Sequence, residues 1–188
     1  MASYTLPTTS KNIWTFDPTS IGGCTLWLDG ADRNTMFSDT AGTTPATLNG
    51  NVGRWSDKSV SGNNAIRNTN GSYPTGFGTY SSDNSIEFGG SAAYTLTTSL
   101  LPTGITNGTY FVVSRSTSGT NTGVFCYGGT ATQNLARAFY YSNTTTLNIT
   151  TNSDGTSSIT SAANGPNVIT YMINNFRESA WANGTPFA

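Results

Sequence analysis

The 188 residues of the chain include no histidine, the side chain that most often transfers protons in enzymes. Without histidine, neither a Ser-His-Asp triad nor a Cys-His pair can be assembled, and the usual zinc ligand sets are missing too. Glycoside cleavage needs no histidine, but it needs two carboxyl groups about 5–9 Å apart. The only glutamates are Glu87 and Glu178, and Glu87 has no acidic residue two positions away on the same face of a strand. We therefore expect no enzymatic activity.

Three aspartates in the first third of the chain offer oxygen ligands of the type that calcium prefers. Asp29 and Asp32 are assigned as a candidate calcium site, with backbone carbonyl groups as further ligands. The alternative is structural, since an aspartate after a strand commonly caps a turn. Asp57 is predicted to accept hydrogen bonds within the polar corner of residues 55–62. No other cofactor is expected.

One long loop has the composition of a glycan-binding surface. Residues 70–83 are rich in Gly and Ser and carry three aromatic side chains, Tyr73, Phe77 and Tyr80. Exposed rings in a loop on a rigid scaffold are suited to stacking on sugar faces, and loops commonly carry binding functions. The alternative is that these rings pin the loop onto the body of the protein.

Residues 1–20 have neither helical nor strand periodicity and read as an extended N-terminal arm. A fully disordered tail has little use for large aromatic side chains. Tyr4, Trp14 and Phe16 are therefore predicted to anchor the arm on the domain or on a neighbouring subunit in an assembly.

The elements that position these residues are predicted to be short β-strands. Runs of Val, Ile, Thr and aromatic residues alternate with Gly- and Asn-rich turns, and no helical period exceeds two turns. Asn183-Gly184 is the strongest hairpin dipeptide and predicts a type I′ turn. This pattern is typical of an all-β sandwich or barrel. The candidate strands are 24–29, 52–56, 63–67, 85–88, 93–97, 109–115, 123–127, 135–141, 145–150, 167–174 and 178–182.

The first third resembles the opening of concanavalin A-like and laminin-G-like jelly-roll domains. The resemblance is carried by Ile21-Gly-Gly-Cys-Thr-Leu-Trp-Leu-Asp-Gly-Ala-Asp, by Val52-Gly-Arg-Trp-Ser-Asp-Lys-Ser and by Gly62-Asn-Asn-Ala. It looks especially like the versions found in proteins of giant algal and amoebal DNA viruses. The resemblance implies an antiparallel jelly-roll β-sandwich, and related domains often hold calcium near a rim loop.

We expect a single domain over residues 21–188, because about 190 residues suffice for one substantial core. The alternative is that this domain is incomplete at its C-terminal end. Cys24 and Cys126 lie in apolar runs and are interpreted as buried free thiols, with a disulfide between them as the alternative. Nine residues in strand-like apolar runs are expected in the core, namely Leu26, Leu28, Trp55, Phe88, Phe111, Val113, Phe125, Tyr171 and Ile173.

The composition argues against two classes of function, nucleic-acid binding and membrane insertion. Only 9% of the residues are charged and the formal net charge is −1, so no basic stripe for nucleic acid is present. No apolar run is long enough to span a membrane, and no signal peptide is recognisable. We interpret the chain as a non-enzymatic structural or interaction module, a minor capsid or surface component of a large DNA virus particle. Its partners would be other capsid proteins or copies of itself. The alternative is a carbohydrate-binding module for host glycans, located on the virion or outside the cell.

Overall fold

The computed structural model describes residues 17–67, 78–81, 85–88, 94–96, 107–116, 122–127, 137–151, 155–160, 166–175 and 177–187. Apart from two single-turn 3-10 helices, Pro18–Ser20 and Arg33–Thr35, these residues form strands and their connections. Every strand pair among the described residues is antiparallel. The protein is all-β, as the alternating pattern predicted. In this part of the chain, no helix has the length and apolar character needed to cross a membrane.

The chain divides into two compact units, Met1–Leu101 and Pro102–Ala188. The strands of the first unit are β1 (Met36–Phe37), β2 (Asn51–Val52), β3 (Arg54–Trp55), β4 (Ala65–Arg67), β5 (Gly78–Tyr80), β6 (Ile86–Glu87) and β7 (Tyr94–Leu96). They form one sheet of order β1-β3-β4-β7 and another of order β2-β5-β6. The prediction of one jelly-roll domain over residues 21–188 stays a prediction.

The second unit is a β-sandwich-like pair of four-stranded sheets. Its strands are β8 (Asn107–Ser114), β9 (Thr122–Tyr127), β10 (Arg137–Tyr141), β11 (Thr146–Thr151), β12 (Gly155–Thr160), β13 (Asn167–Asn174), β14 (Arg177–Ala182) and β15 (Thr185–Pro186). The sheet orders are β15-β14-β13-β8 and β12-β11-β10-β9. Buried side chains from both sheets form one cluster, in which Phe139 meets Tyr171 edge to face at 5.2 Å between ring centroids. Such a shared apolar layer is what holds a sandwich together.

A buried hydroxyl joins the two sheets of the second unit. Tyr141 on β10 donates to the carbonyl oxygen of Ser114 at 3.1 Å, and Asn167 Nδ2 on β13 donates to the Tyr141 hydroxyl at 3.0 Å. Asn183 Nδ2 then donates to Asn167 Oδ1 at 2.8 Å. Because Tyr141 and Asn167 are both about 1% exposed, these bonds satisfy polar atoms that water cannot reach.

The Asn183-Gly184 turn is confirmed. Both residues have positive φ, 50° and 79°, as a type I′ turn requires. The Asn183 side chain also accepts a hydrogen bond from the Val168 N–H at 2.8 Å, which fixes the turn against β13. The returning strand β15 is short and pairs only with Trp181 and Ala182.

Among the described residues of the first unit, the apolar cluster is smaller than that of the second unit. Met36 and Val52 are fully buried, and Ala46, Trp55 and Ile86 pack against them.

Most predicted strands are confirmed within a few residues, but the segment 24–29 is wrong. No strand is assigned over these residues, and they join no sheet of the described part of the chain. Strands β1, β5 and β12 were missed. Strands β5 and β12 lie in connections rich in Gly, Ser and Thr where apolar alternation is absent, and β1 has only two residues, too few to show alternation.

The core prediction is confirmed for Tyr171 and Ile173 and wrong for Phe88, Phe111 and Val113, which are 42%, 68% and 70% exposed. A run of four apolar residues that begins at Tyr110 is consistent in sequence with a strand buried on both faces. In β8, however, exposure alternates strictly, so that Phe111 and Val113 lie on the outer face. Three further residues of the prediction, Leu26, Leu28 and Trp55, are partly buried, and the side chain of Phe125 lies outside the described part.

Candidate functional site

The polar corner of residues 55–62 and the two asparagines after it hold the segment 24–29 by hydrogen bonds, where the sequence predicted a strand. Asp57 Oδ1 accepts the Trp27 N–H at 2.7 Å, and the Lys58 N–H donates to the Trp27 carbonyl oxygen at 2.9 Å. Asn63 Nδ2 donates to the Thr25 carbonyl oxygen at 2.7 Å. Three backbone groups of the segment, at Thr25 and Trp27, are therefore satisfied by side chains and a turn and not by a neighbouring strand.

Asp57 is the centre of this corner. Its Oδ1 accepts from the backbone N–H of Trp27 and of Ser59, and its Oδ2 accepts from the Ser59 hydroxyl at 2.6 Å and the Asn63 N–H at 2.8 Å. Partial burial by itself raises the pKa of Asp57, but these donors outweigh it, and the pKa is lowered. The predicted structural role of Asp57 is confirmed, and Asp57 also accepts a hydrogen bond from Trp27, outside the corner.

The turn that follows Asp57 is built from Gly and Asn. Gly62 has a φ of 67°, a conformation that costs glycine little. Asn64 Oδ1 accepts the Asp57 N–H at 3.0 Å, and Asn64 Nδ2 donates to the Gly62 carbonyl oxygen. These bonds close the loop that carries the Asp57 carboxylate to Trp27.

Asp29 and Asp32 converge on one cation, which is the ammonium group of Lys58. Lys58 Nζ lies 2.9 Å from Asp29 Oδ2, 3.0 Å from Asp32 Oδ2 and 4.1 Å from the centroid of the Trp27 ring. Hydrogen bonds with the two carboxylates raise the pKa of Lys58, and the bond from Lys58 lowers the pKa of Asp32. The distance to Trp27 adds a cation–π contact.

Both carboxylates also cap turns, as the structural alternative expected. Asp29 Oδ1 accepts the Ala31 N–H at 3.0 Å, and Asp32 Oδ1 accepts the Asn34 N–H at 3.2 Å. Among the described residues, no group of three or more Cys, Asp and Glu side chains is placed to hold a metal ion. The calcium site stays a prediction, and calcium would have to displace Lys58. Sequence reasoning overlooked Lys58, although it stands directly after Asp57.

A second carboxylate loop, also missed, lies nearby in the first unit. Asp39 accepts the backbone N–H groups of Gly42 at 2.7 Å, of Thr43 at 3.1 Å and of Thr44 at 2.6 Å. These bonds, that of Thr43 foremost, hold the pKa of Asp39 far below its usual range. The Arg54 side chain crosses the loop and donates to the Ala41 carbonyl oxygen. An aspartate three residues before a glycine is the local signal of such a loop.

The remaining predicted site residues are not brought together by the described part of the structure. Tyr80 ends β5, which pairs with β2 and β6. Tyr73 and Phe77 lie outside the described residues, as do Tyr4, Trp14 and Phe16 of the arm. The thiol of Cys24 is free and partly exposed, with Sγ 3.8 Å from the Leu26 carbonyl oxygen.

The geometry of the corner is that of a structural site. No family model, no curated protein and no solved structure matches the chain. The jelly-roll resemblance therefore stays a prediction. What can be derived about function comes from the contacts themselves.

Proposed function

We propose that the chain is a non-enzymatic structural and interaction module, a component of the particle of a large DNA virus. The observation that carries the proposal is an apolar patch on the outer face of the sheet β15-β14-β13-β8. Phe111 and Val113 are 68% and 70% exposed, and Val168, the cross-strand partner of Val113, is 47% exposed. Contiguous exposed apolar side chains mark contact surfaces for other molecules.

The state of the carboxylates supports a non-enzymatic role. Asp57 is saturated by four donors, and Asp29 and Asp32 share the Lys58 ammonium. A general acid needs a carboxyl group whose pKa is raised towards neutrality. The pKa values of Asp57, Asp32 and Asp39 are instead lowered, so these groups remain ionised and hold turns together.

Assembly into a particle is supported by the low charge of the chain and by the viral character of its opening motif. The test is mass spectrometry of purified particles from a virus that encodes the chain, with infected-cell lysate as the comparison. We expect its peptides in the particle at a constant ratio to the other particle proteins. Presence in the lysate together with absence from particles would contradict the proposal.

Lack of catalysis is tested separately. We expect the purified chain to release no reducing sugar or unsaturated product from glucan or alginate substrates. Turnover that the Glu87→Gln variant abolishes would contradict the non-enzymatic assignment, since Glu87 is exposed at the end of β6.

Glycan binding is the second candidate, and one observation on the same sheet favours it. Trp181 and Phe111 are both cross-strand neighbours of Thr170, on either side of it. At about 4.8 Å between strands, the two Cα atoms are about 10 Å apart, a spacing that lets one oligosaccharide contact both rings. A glycan array with wild-type chain and the Trp181→Ala variant is the test, and binding that Trp181→Ala leaves unchanged would count against this surface.

A further inference from the structure

Five asparagines of the chain are followed directly by glycine, namely Asn49, Asn70, Asn107, Asn164 and Asn183. Such a pair can react without an enzyme, because glycine has no Cβ to keep its backbone nitrogen away from the side-chain carbon of the asparagine. The structure describes three of these pairs, those of Asn49, Asn107 and Asn183. All three asparagines are exposed, so exposure alone does not distinguish them.

Hydrogen bonds hold the side chains of Asn183 and Asn107. Asn183 Oδ1 accepts the Val168 N–H at 2.8 Å, and Asn183 Nδ2 donates to Asn167 Oδ1 at 2.8 Å. The Asn183 N–H also donates to the Val168 carbonyl oxygen at 2.9 Å. Asn107 Oδ1 accepts the Asn175 N–H at 3.0 Å, and Asn107 begins the ladder between β8 and β13. These bonds must break before either amide carbon can turn towards the next backbone nitrogen.

Asn49 lies in a turn that restrains it much less. No hydrogen bond holds its side chain to another residue of the described part of the chain. Its φ is 59°, and the Gly50 N–H donates to the Thr47 carbonyl oxygen at 2.9 Å. Thr47 and Leu48 are exposed as well. Release of the Gly50 nitrogen therefore requires one backbone hydrogen bond to open in an exposed turn, a local event that costs far less than global unfolding.

We propose that Asn49 is a site of spontaneous deamidation, which converts it to aspartate and isoaspartate. The Gly50 nitrogen gives up its proton and forms a bond to Asn49 Cγ, the Cγ–Nδ2 bond breaks, and Nδ2 leaves as ammonia. Water then opens the resulting cyclic imide at either of its carbonyl groups. The net reaction consumes one water, releases one ammonia and adds one negative charge to the formal net charge of −1.

The modified turn leads directly into β2, which carries the fully buried Val52 of the first unit's apolar cluster. Isoaspartate inserts one methylene group into the backbone of the turn. The turn is already tight, since a Cβ on Gly50 would lie 2.5 Å from Thr47 Oγ1. The longer backbone therefore disturbs the hydrogen bond between Gly50 and Thr47. We expect the isoaspartate form to unfold at a lower urea concentration than the unmodified chain.

The test is peptide mapping by mass spectrometry of the full chain during incubation at mildly alkaline pH, where a backbone nitrogen loses its proton more readily. In the folded protein, Asn49 should deamidate about tenfold or more faster than Asn183, a ratio that about one to two additional hydrogen bonds produce. In concentrated urea the two rates should become similar, because glycine follows both residues and the folded contacts are gone. Equal rates in the folded protein, or a slower rate at Asn49, would overturn the proposal.

Two variants of Asn49 separate the chemistry from its structural effect. Asn49→Gly tolerates the positive φ and lacks the reactive amide, so its peptide should gain no charge and its urea midpoint should not fall on incubation. Asn49→Asp carries the charge without the added methylene group and should keep the urea midpoint of fresh wild type. A cooperative urea transition verifies that both variants fold. If incubated wild type contains isoaspartate at this position but keeps its original midpoint, the inferred effect on the turn is wrong.

Discussion

At the scale of single residues, the protein uses its few carboxylates as hydrogen-bond acceptors for turns. Asp57, Asp39 and Asp32 each accept backbone N–H groups at 2.6–3.2 Å. Backbone donors in irregular segments must be satisfied by something other than a ladder, and an ionised carboxylate satisfies several at once. Carboxylates are scarce in this chain, in which only 9% of the residues are charged.

Asp57→Ala should lower the free energy of unfolding by about 1–3 kcal/mol, because the donors of Trp27, Ser59 and Asn63 lose their acceptor. Urea denaturation at neutral pH measures the change. The matched control is Asp17→Ala, since Asp17 caps an exposed turn through Thr19 and its loss should cost less. If Asp57→Ala leaves the free energy of unfolding unchanged but abolishes a binding activity, the role of Asp57 is functional and not structural.

Stability should fall in acid. The folded-state pKa values of Asp57 and Asp32 are lowered, whereas an aspartate in the unfolded chain has a pKa of about 3.9. The unfolded state therefore binds protons first as the pH drops, so the stabilisation is complete above about pH 4 and is lost as the pH falls through the folded-state values. Denaturant midpoints measured from neutral pH to about pH 2 test this. In the Asp57→Asn variant, the free energy of unfolding should fall less steeply below about pH 4 than in wild type. The same decrease in both proteins would refute a contribution of Asp57 to acid sensitivity.

At the scale of elements, the two sheets of the second unit are joined by polar as well as apolar contacts. Tyr141 on β10 reaches Ser114 at the end of β8 and Asn167 at the start of β13. The turn residue Asn183 extends this chain of hydrogen bonds to the β14–β15 hairpin. The ends of four strands are thereby set relative to one another within this unit.

Tyr141→Phe keeps the ring in the core but removes the hydroxyl, and Asn167 loses the acceptor for its Nδ2 group. We expect a loss of about 1–3 kcal/mol in the free energy of unfolding. Tyr140→Phe is the control, because Tyr140 precedes Tyr141 on β10 and is partly exposed. Equal effects of the two substitutions would mean that the buried hydroxyl contributes nothing particular.

At the scale of the whole molecule, the second unit contains its own core. Its cluster combines buried side chains from β10 and β11 with others from β13 and β14. Pro102–Ala188 expressed alone should therefore show a β-type circular dichroism spectrum and a cooperative thermal transition. An unfolded fragment, alongside a cooperative full chain, would instead favour the single jelly roll predicted over residues 21–188.

Local chemistry explains what could be predicted from the sequence alone. Alternation of apolar residues and the turn preferences of Gly and Asn depend on neighbours in the chain. For this reason the all-β class, the Asn183-Gly184 turn, the acceptor role of Asp57 and the burial of Tyr171 were accessible without a structure. The absence of histidine and the paucity of glutamate, which argue against catalysis, are also properties of the sequence itself.

The tertiary structure decided what depends on partners distant in the chain. The alternation of residues 24–29 predicts a strand, but a strand needs a neighbour, and here the corner about thirty residues later supplies the hydrogen bonds instead. Lys58 stands between Asp29 and Asp32 only because the same corner brings it there. Likewise, both faces of β8 are apolar in sequence, and only its place in the sheet shows which face is packed and which one, carrying Phe111, is exposed.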